Sequence, residues 1–217
     1  STTTAVAELA FGLLLAIARE IPLADATMKQ GQWNKKEFEG VELNGKTLGI
    51  IGFGRIGMEV GKRAAAFGMN VVVDYPNVTE HELEPAEAEP VSIQGLFAWS
   101  DFISLHLPLN VQTRDLIGPM ALSQMKDGVR IIRTARGGII NESALLDALN
   151  QGKVAGVALD VFEKEPPGLT ELVSDPRVIA TPHIGAQTAE AQSRAAEDIA
   201  NEVLAALRGK PLRWKVA

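Results

Sequence analysis

The residues that point most clearly to a binding function are three glycines. They stand in the segment Gly52-Phe53-Gly54-Arg55-Ile56-Gly57, between an apolar run and a helical pattern. In that position Gly52 permits a tight turn, Gly54 lets a phosphate approach the backbone, and Gly57 lets helix and strand pack closely. The amides and the dipole at the start of the helix attract negative charge. The segment therefore predicts a loop that binds the pyrophosphate of a dinucleotide, and a glycine-rich turn without a ligand is the alternative.

Such loops are followed, about 20 residues on, by an acidic residue that binds the adenosine ribose. Asp74 ends the next apolar run and is the natural candidate. We therefore predict that Asp74 faces the ribose hydroxyls.

The elements that must position these residues follow from apolar runs alternating with helical patterns. The predicted strands are 47–51, 70–74, 101–105, 129–132, 154–159 and 177–180, and the predicted helices are 56–67, 143–149 and 188–207. Almost continuously apolar strands separated by helices indicate a parallel sheet covered on both faces, so we predict a doubly wound α/β fold. The acidic segment 80–90 is predicted to be a solvated connector.

The first helical segment carries an apolar stripe of Val6, Leu9, Leu13 and Ile17. A helix this apolar must be covered, and we expect a partner subunit or a further domain to cover it. Pro22 should end or bend this helix.

Composition narrows the function classes. The net charge of -6 argues against a partner with a phosphate backbone, such as nucleic acid. The absence of cysteine excludes a disulfide framework and a thiolate metal site, and suits a reducing compartment. The longest apolar stretch, Leu9 to Ala18, has about half the length that a membrane span requires.

Six further stretches of the sequence resemble the motifs of a known protein family. They are Glu42 to Gly49, Phe67 to Met69, Thr134 to Gly138, Ala158 to Phe162, Pro182 to Ala186 and Glu190 to Arg194. In these stretches and in the glycine loop, nearly the whole chain resembles the D-isomer-specific 2-hydroxyacid dehydrogenases, above all the branch that oxidises D-3-phosphoglycerate in serine biosynthesis.

The resemblance implies a Rossmann domain over residues 1–217 with an N-terminal dimerisation helix, and a substrate-binding domain that is absent from this chain. It also implies NAD as cofactor, a small 2-hydroxy acid as substrate, no metal, and no nucleic acid or membrane as partner. A cytoplasmic homodimer or higher oligomer is expected.

The resemblance also implies a catalytic set. Arg136 matches the arginine that grips the substrate carboxylate, His183 the general acid/base, and Glu165 the carboxylate that orients the histidine and stabilises its charge. Taken singly, each could instead be an ordinary surface or loop residue.

The cofactor contacts implied by the resemblance fall into three groups. The pyrophosphate and ribose group is Gly52, Gly54, Arg55, Ile56, Gly57, Asp74, Tyr75 and Pro76; the adenosine group is His106, Leu107 and Pro108; the nicotinamide group is Thr134, Ala135, Arg136, Asp160, His183, Gly185 and Ala186.

Two positions depart from the family's pattern. The ribose-binding acid of the family aligns with Tyr75, so that Asp74 stands one place early, and neighbouring side chains on a strand point to opposite faces. Arg133 stands where the family usually has asparagine, which puts a long charged side chain close to the expected cofactor site.

Three alternative functions remain at this point. The chain could belong to another D-2-hydroxyacid dehydrogenase, of the glyoxylate or hydroxypyruvate reductase type, or to an NAD-sensing corepressor. It could also be a module that binds the dinucleotide and turns nothing over.

Overall fold

A computed structural model describes residues 2–74 and 79–212, so the predicted cofactor contacts of Tyr75 and Pro76 lie outside the described residues. The strands are β1 Thr47–Ile51, β2 Asn70–Asp74, β3 Ala88–Pro90, β4 Phe102–Leu105, β5 Val129–Arg133, β6 Val154–Leu159 and β7 Val178–Ala180. The α-helices are α1 Thr3–Ala18, α2 Ile21–Lys29, α3 Arg55–Ala66, α4 Glu80–Leu83, α5 Ile93–Trp99, α6 Pro119–Gln124, α7 Glu142–Asn150, α8 Glu171–Ser174 and α9 Ala189–Leu207.

The strands form one parallel sheet in the order β3-β2-β1-β4-β5-β6-β7. The chain builds outward from β1 in one direction to β3, then returns and builds outward from β4 in the other. Sheets wound in this way open a crevice outside the carboxyl ends of the strands where the direction reverses. The predicted doubly wound fold is confirmed, and its crevice lies between β1 and β4.

The core lies on both faces of the sheet, because neighbouring strand residues point in opposite directions. Ile131 packs in the cluster that includes Leu145 of α7, whereas Ile132 packs in the cluster that includes Leu14 of α1. Both isoleucines are fully buried. Strands buried on both faces explain why the sequence shows apolar runs rather than alternation.

The segment predicted to be a solvated connector is part of the fold, so that prediction was wrong. Residues 80–83 form α4, Glu84–Ala86 form a 3-10 turn, and Ala88–Pro90 form the edge strand β3 against β2. Leu83 and Ala86 are buried beneath the acidic side chains. An edge strand tolerates charges and a proline because one side of its backbone needs no partner strand.

The expected external cover for the first helix was also wrong, because the chain covers α1 itself. Eight residues of α1 are buried, and the helix packs against α3, β5 and β6. The exposed apolar side chains lie instead on α2 and just after it: Ile21, Leu23, Met28 and Trp33. Pro22 stands in the first turn of α2, where it separates the two helices as predicted.

Within residues 2–74 and 79–212, no helix has the length and apolarity needed to cross a bilayer. In the same residues, no group of three or more histidine, aspartate or glutamate side chains is placed to hold a metal ion.

Candidate active site

Three loops at the carboxyl ends of the strands carry the predicted catalytic residues. Arg136 follows β5, Glu165 follows β6 and His183 follows β7. These strands are neighbours and run parallel, so their carboxyl ends meet at the same edge. The structure therefore brings together loops that are far apart in the sequence.

Glu165 and His183 form a direct pair. Oε2 of Glu165 lies 2.7 Å from Nδ1 of His183, and Oε1 accepts a hydrogen bond of 3.0 Å from the amide of Phe162. Burial raises the pKa of the Glu165 carboxyl, but the hydrogen bonds from His183 and Phe162 outweigh it and hold that pKa below its ordinary value. The carboxylate engages Nδ1, which leaves Nε2 of the half-exposed ring free to exchange a proton with a bound molecule.

The His183 loop is held in an unusual backbone conformation. His183 has a φ of 54°, in the left-handed region that side chains other than glycine rarely adopt. The buried carboxylate of Asp160 holds the loop by accepting hydrogen bonds from the Thr181 hydroxyl at 2.6 Å and from the amides of Ile184 and Gly185 at 2.8 Å each. Backbone strain that the surroundings enforce is a common feature of functional sites.

Asp160 was predicted from the resemblance to lie near the nicotinamide. In the structure its two carboxylate oxygens already have three donors from the His183 loop. Its contact with a cofactor stays a prediction, and the structure adds a second role in orienting His183.

Arg136 is exposed and close to the pair. Its Nη1 donates to the carbonyl of Ala135 at 2.7 Å, and its charge is one of the influences that lower the pKa of Glu165. A Cβ on the next residue, Gly137, would come within 1.8 Å of the Phe162 carbonyl oxygen. Glycine at position 137 therefore allows the Arg136 loop to lie directly on the Glu165 loop.

The glycine loop has the geometry that its sequence predicts. Gly52 has a φ of 92°, and a Cβ on Gly57 would lie 2.3 Å from the carbonyl oxygen of Gly52, so both positions exclude larger residues. Among the described residues, nothing lies within 4 Å of the place that a Cβ on Gly54 would take. The first bond within α3 runs from Met58 N to Gly54 O, which leaves the preceding amides of Arg55, Ile56 and Gly57 without partners inside the helix.

The predicted adenosine side lies next to this loop. The amide of His106 donates to the carbonyl of Ile51 at 2.8 Å, and the backbone of His106 borders Gly52. The His106 ring pairs through Nε2 with the Ser104 hydroxyl at 2.8 Å, and burial lowers its pKa to about 4. Leu107 also borders Gly52, and contacts of His106, Leu107 and Pro108 with an adenosine stay predictions.

Asp74 ends β2 beside the glycine loop, where its carbonyl accepts a bond of 3.3 Å from the amide of Gly52. Partial burial raises the pKa of its carboxyl. Its side chain shares the sheet face of Val72 because the two stand two positions apart on the strand. That the Asp74 carboxyl binds the ribose stays a prediction.

On the predicted nicotinamide side, Thr134 is buried and its hydroxyl has no hydrogen-bond partner among residues 2–74 and 79–212. A buried hydroxyl without a partner is costly unless a ligand supplies one. Ala135 is partly buried, and Gly185 is buried against Asp160. The carbonyl of Ala186 accepts from the Gln192 side chain at 3.0 Å, which ties this loop to α9.

The Arg133 side chain is fully buried in the core, and its predicted proximity to a bound cofactor stays a prediction. It bonds Glu142, at the start of α7, at 2.6 Å and the carbonyl of Val161, in the loop after β6, at 2.7 Å. Neither Glu142 nor Thr181 was identified from the sequence as part of the site's support. Their contacts join loops about 10 to 20 residues apart, and no motif or periodicity signals them.

Comparison with known proteins agrees with this geometry. Residues 11–185 match the family model described as "D-isomer specific 2-hydroxyacid dehydrogenase, NAD binding domain". D-3-phosphoglycerate dehydrogenase of Methanocaldococcus jannaschii is 47% identical over 211 residues, covering 97% of this chain and 40% of that protein. Hydroxypyruvate reductase of Thermotoga maritima is 50% identical over 206 residues, covering 94% of this chain and 66% of that protein.

Among solved structures, a glyoxylate reductase from Paecilomyes thermophila superposes with a TM-score of 0.91 at 43% identity, covering 97% of this chain and 64% of that one. The chain thus spans about 40% of the length of the D-3-phosphoglycerate dehydrogenase and about two thirds of the two reductases. From the matched residues and the fold, the chain belongs to the D-isomer specific 2-hydroxyacid dehydrogenase family, and residues 11–185 are its NAD binding domain.

Proposed function

We propose that this chain supplies the NAD-binding half and three catalytic side chains of a dehydrogenase that interconverts a D-2-hydroxy acid and its 2-oxo acid. The observation that carries the proposal is the Glu165–His183 pair, 2.7 Å apart, on the sheet edge that also bears Arg136 and the glycine loop. Ligands of such sheets bind at that edge.

The residues present fit a dinucleotide. Within the part of the chain that the structure describes, the open space at Gly54 and the amides at the start of α3 that have no partner inside the helix suit a diphosphate. In the same residues the orphaned hydroxyl of Thr134 suits a polar group on the nicotinamide side. Arg55 and Ile56 would hold the pyrophosphate, and the predicted contacts named above would hold the two ends. When bound, the nicotinamide supplies the ring carbon that accepts or returns a hydride.

The chain's own residues would handle the proton and the substrate's charge. In the oxidation direction Nε2 of His183 accepts the proton of the substrate hydroxyl, and in reduction it returns that proton. Glu165, bonded to Nδ1, fixes the ring's orientation and stabilises its positive charge. The exposed guanidinium of Arg136 has the planar shape that binds a carboxylate through two hydrogen bonds.

D-3-phosphoglycerate is the proposed substrate, and serine biosynthesis the proposed setting. Support comes from the similarity to D-3-phosphoglycerate dehydrogenase over nearly the whole chain. The second candidate is reduction of hydroxypyruvate or glyoxylate, favoured by the 50% identity to a hydroxypyruvate reductase.

Two features of the assembly are also proposed. Residues 1–217 form one dinucleotide-binding domain that lacks the groups completing the substrate site, since the D-3-phosphoglycerate dehydrogenase relative is more than twice as long. The chain self-associates through the exposed apolar side chains of α2 and Trp33.

Calorimetry and steady-state assays test the proposal together. We expect the 217-residue chain to bind NAD and the full product of the gene to oxidise D-3-phosphoglycerate, with kcat/KM at least about tenfold above that for other D-2-hydroxy acids. Turnover of hydroxypyruvate or glyoxylate alone would establish the second candidate. Binding of NAD without turnover of any of these acids would contradict the catalytic proposal and favour a non-catalytic module.

A further inference from the structure

Arg133, at the end of β5, is the largest of the fully buried side chains. A buried guanidinium is costly unless it is paired, and burial lowers the pKa of Arg133 while the bonded Glu142 opposes that change. Its Nη2 donates to both Glu142 and the Val161 carbonyl, and its Nη1 makes a longer contact of 3.4 Å with the Ile140 carbonyl. The side chain thus ties the end of β5 to the start of α7 and to the loop after β6.

Glu142 forms a second link to the loop after β6. The same Oε1 that accepts from Arg133 also accepts a hydrogen bond of 2.9 Å from the amide of Glu163. The backbone is therefore held at Val161 by the guanidinium and at Glu163 by the carboxylate. Both contacts fall within the short segment that ends at Glu165.

The held segment contains the amide that positions Glu165. Phe162, between the two anchored residues, donates to Oε1 of Glu165, whose other oxygen meets Nδ1 of His183. A shift of residues 161–163 would therefore move Glu165 relative to the imidazole. We propose that Arg133 is a positioning residue that, through Glu142, fixes the 161–165 loop so that Glu165 meets His183; this inference rests on the proposed function.

A purely space-filling role is the competing explanation. A buried ion pair can often be replaced by apolar residues of similar volume without loss of stability, so burial alone does not justify an arginine. An apolar side chain would fill the volume but would leave the Val161 carbonyl without this donor. The two explanations therefore differ in what happens to Glu165.

Glu142→Ala is the main test because it removes the carboxylate that joins Arg133 to the amide of Glu163 while the bond from Arg133 to the Val161 carbonyl stays in place. It leaves the buried Arg133 without its ionic partner, so the free energy of unfolding should fall as well. Glu142→Gln is the conservative variant, since its amide oxygen still accepts from Arg133 and from Glu163. The matched control is Asp101→Ala, because Asp101 likewise accepts from a backbone amide, Thr47 at 2.8 Å, and from a cation, Lys126 at 3.0 Å. Asp101 precedes β4 and therefore lies at the amino ends of the strands, away from the candidate site.

The decisive readout is the pKa of the Glu165 carboxyl, followed by 13C NMR in the 217-residue chain and assigned with Glu165→Gln. Deleting the negative charge of Glu142 would by itself lower this pKa further. Loosening the loop weakens the hydrogen bonds that hold it low and would raise it. The two explanations thus predict shifts of opposite sign.

We expect Glu142→Ala to raise the Glu165 pKa and to lower kcat about tenfold in the full gene product, with the dissociation constant for NAD unchanged within about twofold. Glu142→Gln should restore both, and Asp101→Ala should change only the unfolding midpoint. Arg133→Met should act in the same direction as Glu142→Ala on kcat. A lowered or unchanged Glu165 pKa in Glu142→Ala, or equal effects in Asp101→Ala, would overturn the positioning role.

Failure of the proposed function gives a different pattern. In that case the wild-type gene product turns over no D-2-hydroxy acid, while the NMR shift in Glu142→Ala still reports whether Arg133 and Glu142 position Glu165. An active wild type with an unmoved Glu165 pKa in Glu142→Ala would refute the positioning role alone.

Discussion

The candidate site at the carboxyl ends of the strands has two halves, and different groups of the protein form them. Around β1, β2 and β4 the features that suit a dinucleotide belong mostly to the backbone: a positive φ at Gly52, a close approach at Gly57 and amides at the start of α3 that have no partner within the helix. Around β5, β6 and β7 the groups are side chains, held by hydrogen bonds between loops, such as those of Asp160 and Glu142. We refer to these as the glycine half and the side-chain half.

The difference concerns what each half tolerates. In the glycine half an added methyl group is enough to disturb the site, because glycine is required for space or for φ. In the side-chain half the groups are held by hydrogen bonds between loops, so we expect the loss of one donor or acceptor to shift a loop and misalign Glu165 or His183. We therefore expect substitutions in the glycine half to act on binding or stability, and those in the side-chain half to act on turnover.

The largest expected effect is in the side-chain half. His183→Ala removes the proposed general acid/base and should lower kcat about 10²- to 10⁴-fold in the full gene product while the NAD dissociation constant stays unchanged. His81→Ala, on exposed α4, is the control and should leave both values as they are. Equal losses of turnover and NAD binding in His183→Ala would remove the distinction between the halves.

The next effect separates two roles within the glycine half. In Gly57→Ala the new Cβ would meet the carbonyl oxygen of Gly52, so the free energy of unfolding should fall by about 1–3 kcal/mol. In Gly54→Ala the methyl group meets no atom of residues 2–74 and 79–212 but stands at the proposed phosphate cradle, so stability should hold while NAD affinity falls about tenfold. Calorimetry and thermal unfolding distinguish them, and full NAD affinity in Gly54→Ala would refute the cradle.

The last effect is a pH dependence in the glycine half. Burial lowers the pKa of His106 from its ordinary 6.5 to about 4, so the fold favours the neutral ring. The stability that this provides is fully present above pH 6.5 and is lost as the pH falls toward 4. We expect about 2 kcal/mol less loss in His106→Gln than in the wild type between pH 7 and 4.5, measured by denaturant unfolding. Parallel curves for the two proteins would show that His106 is not the titrating group.

The same contrast explains how much the sequence could predict. Apolar runs predicted six strands at nearly their observed bounds, and the glycine spacing predicted the tight turn between β1 and α3, because both depend on local patterns. The cap of α7 is equally local, because Asn141 accepts from the amide of Ala144, three residues later, at 2.9 Å.

The errors arose where tertiary contacts outweigh local pattern. β3 is acidic and contains Pro90, so its sequence resembles a connector, and only its pairing with β2 makes it a strand. Helices α5, α6 and α8 were not predicted because none exceeds two turns and such short runs carry little periodicity.

The catalytic set was available from the sequence only through resemblance. Nothing local in Glu165 or His183 indicates that they meet, since 18 residues separate them. Arg133 shows a further limit, because nothing local in the sequence indicates that its side chain is buried and bonded to Glu142 and the Val161 carbonyl. Side-chain direction at a strand end decides such cases, and the structure is needed to give it.

The most direct test of the central claim is a crystal structure of the protein with NAD bound. We predict pyrophosphate oxygens within hydrogen-bond distance of the amides of Arg55 and Ile56, and the nicotinamide ring between Thr134 and His183. The same map would show whether Asp74 or Tyr75 reaches the ribose. A dinucleotide bound elsewhere, or one whose nicotinamide lies away from His183 and Arg136, would contradict the account.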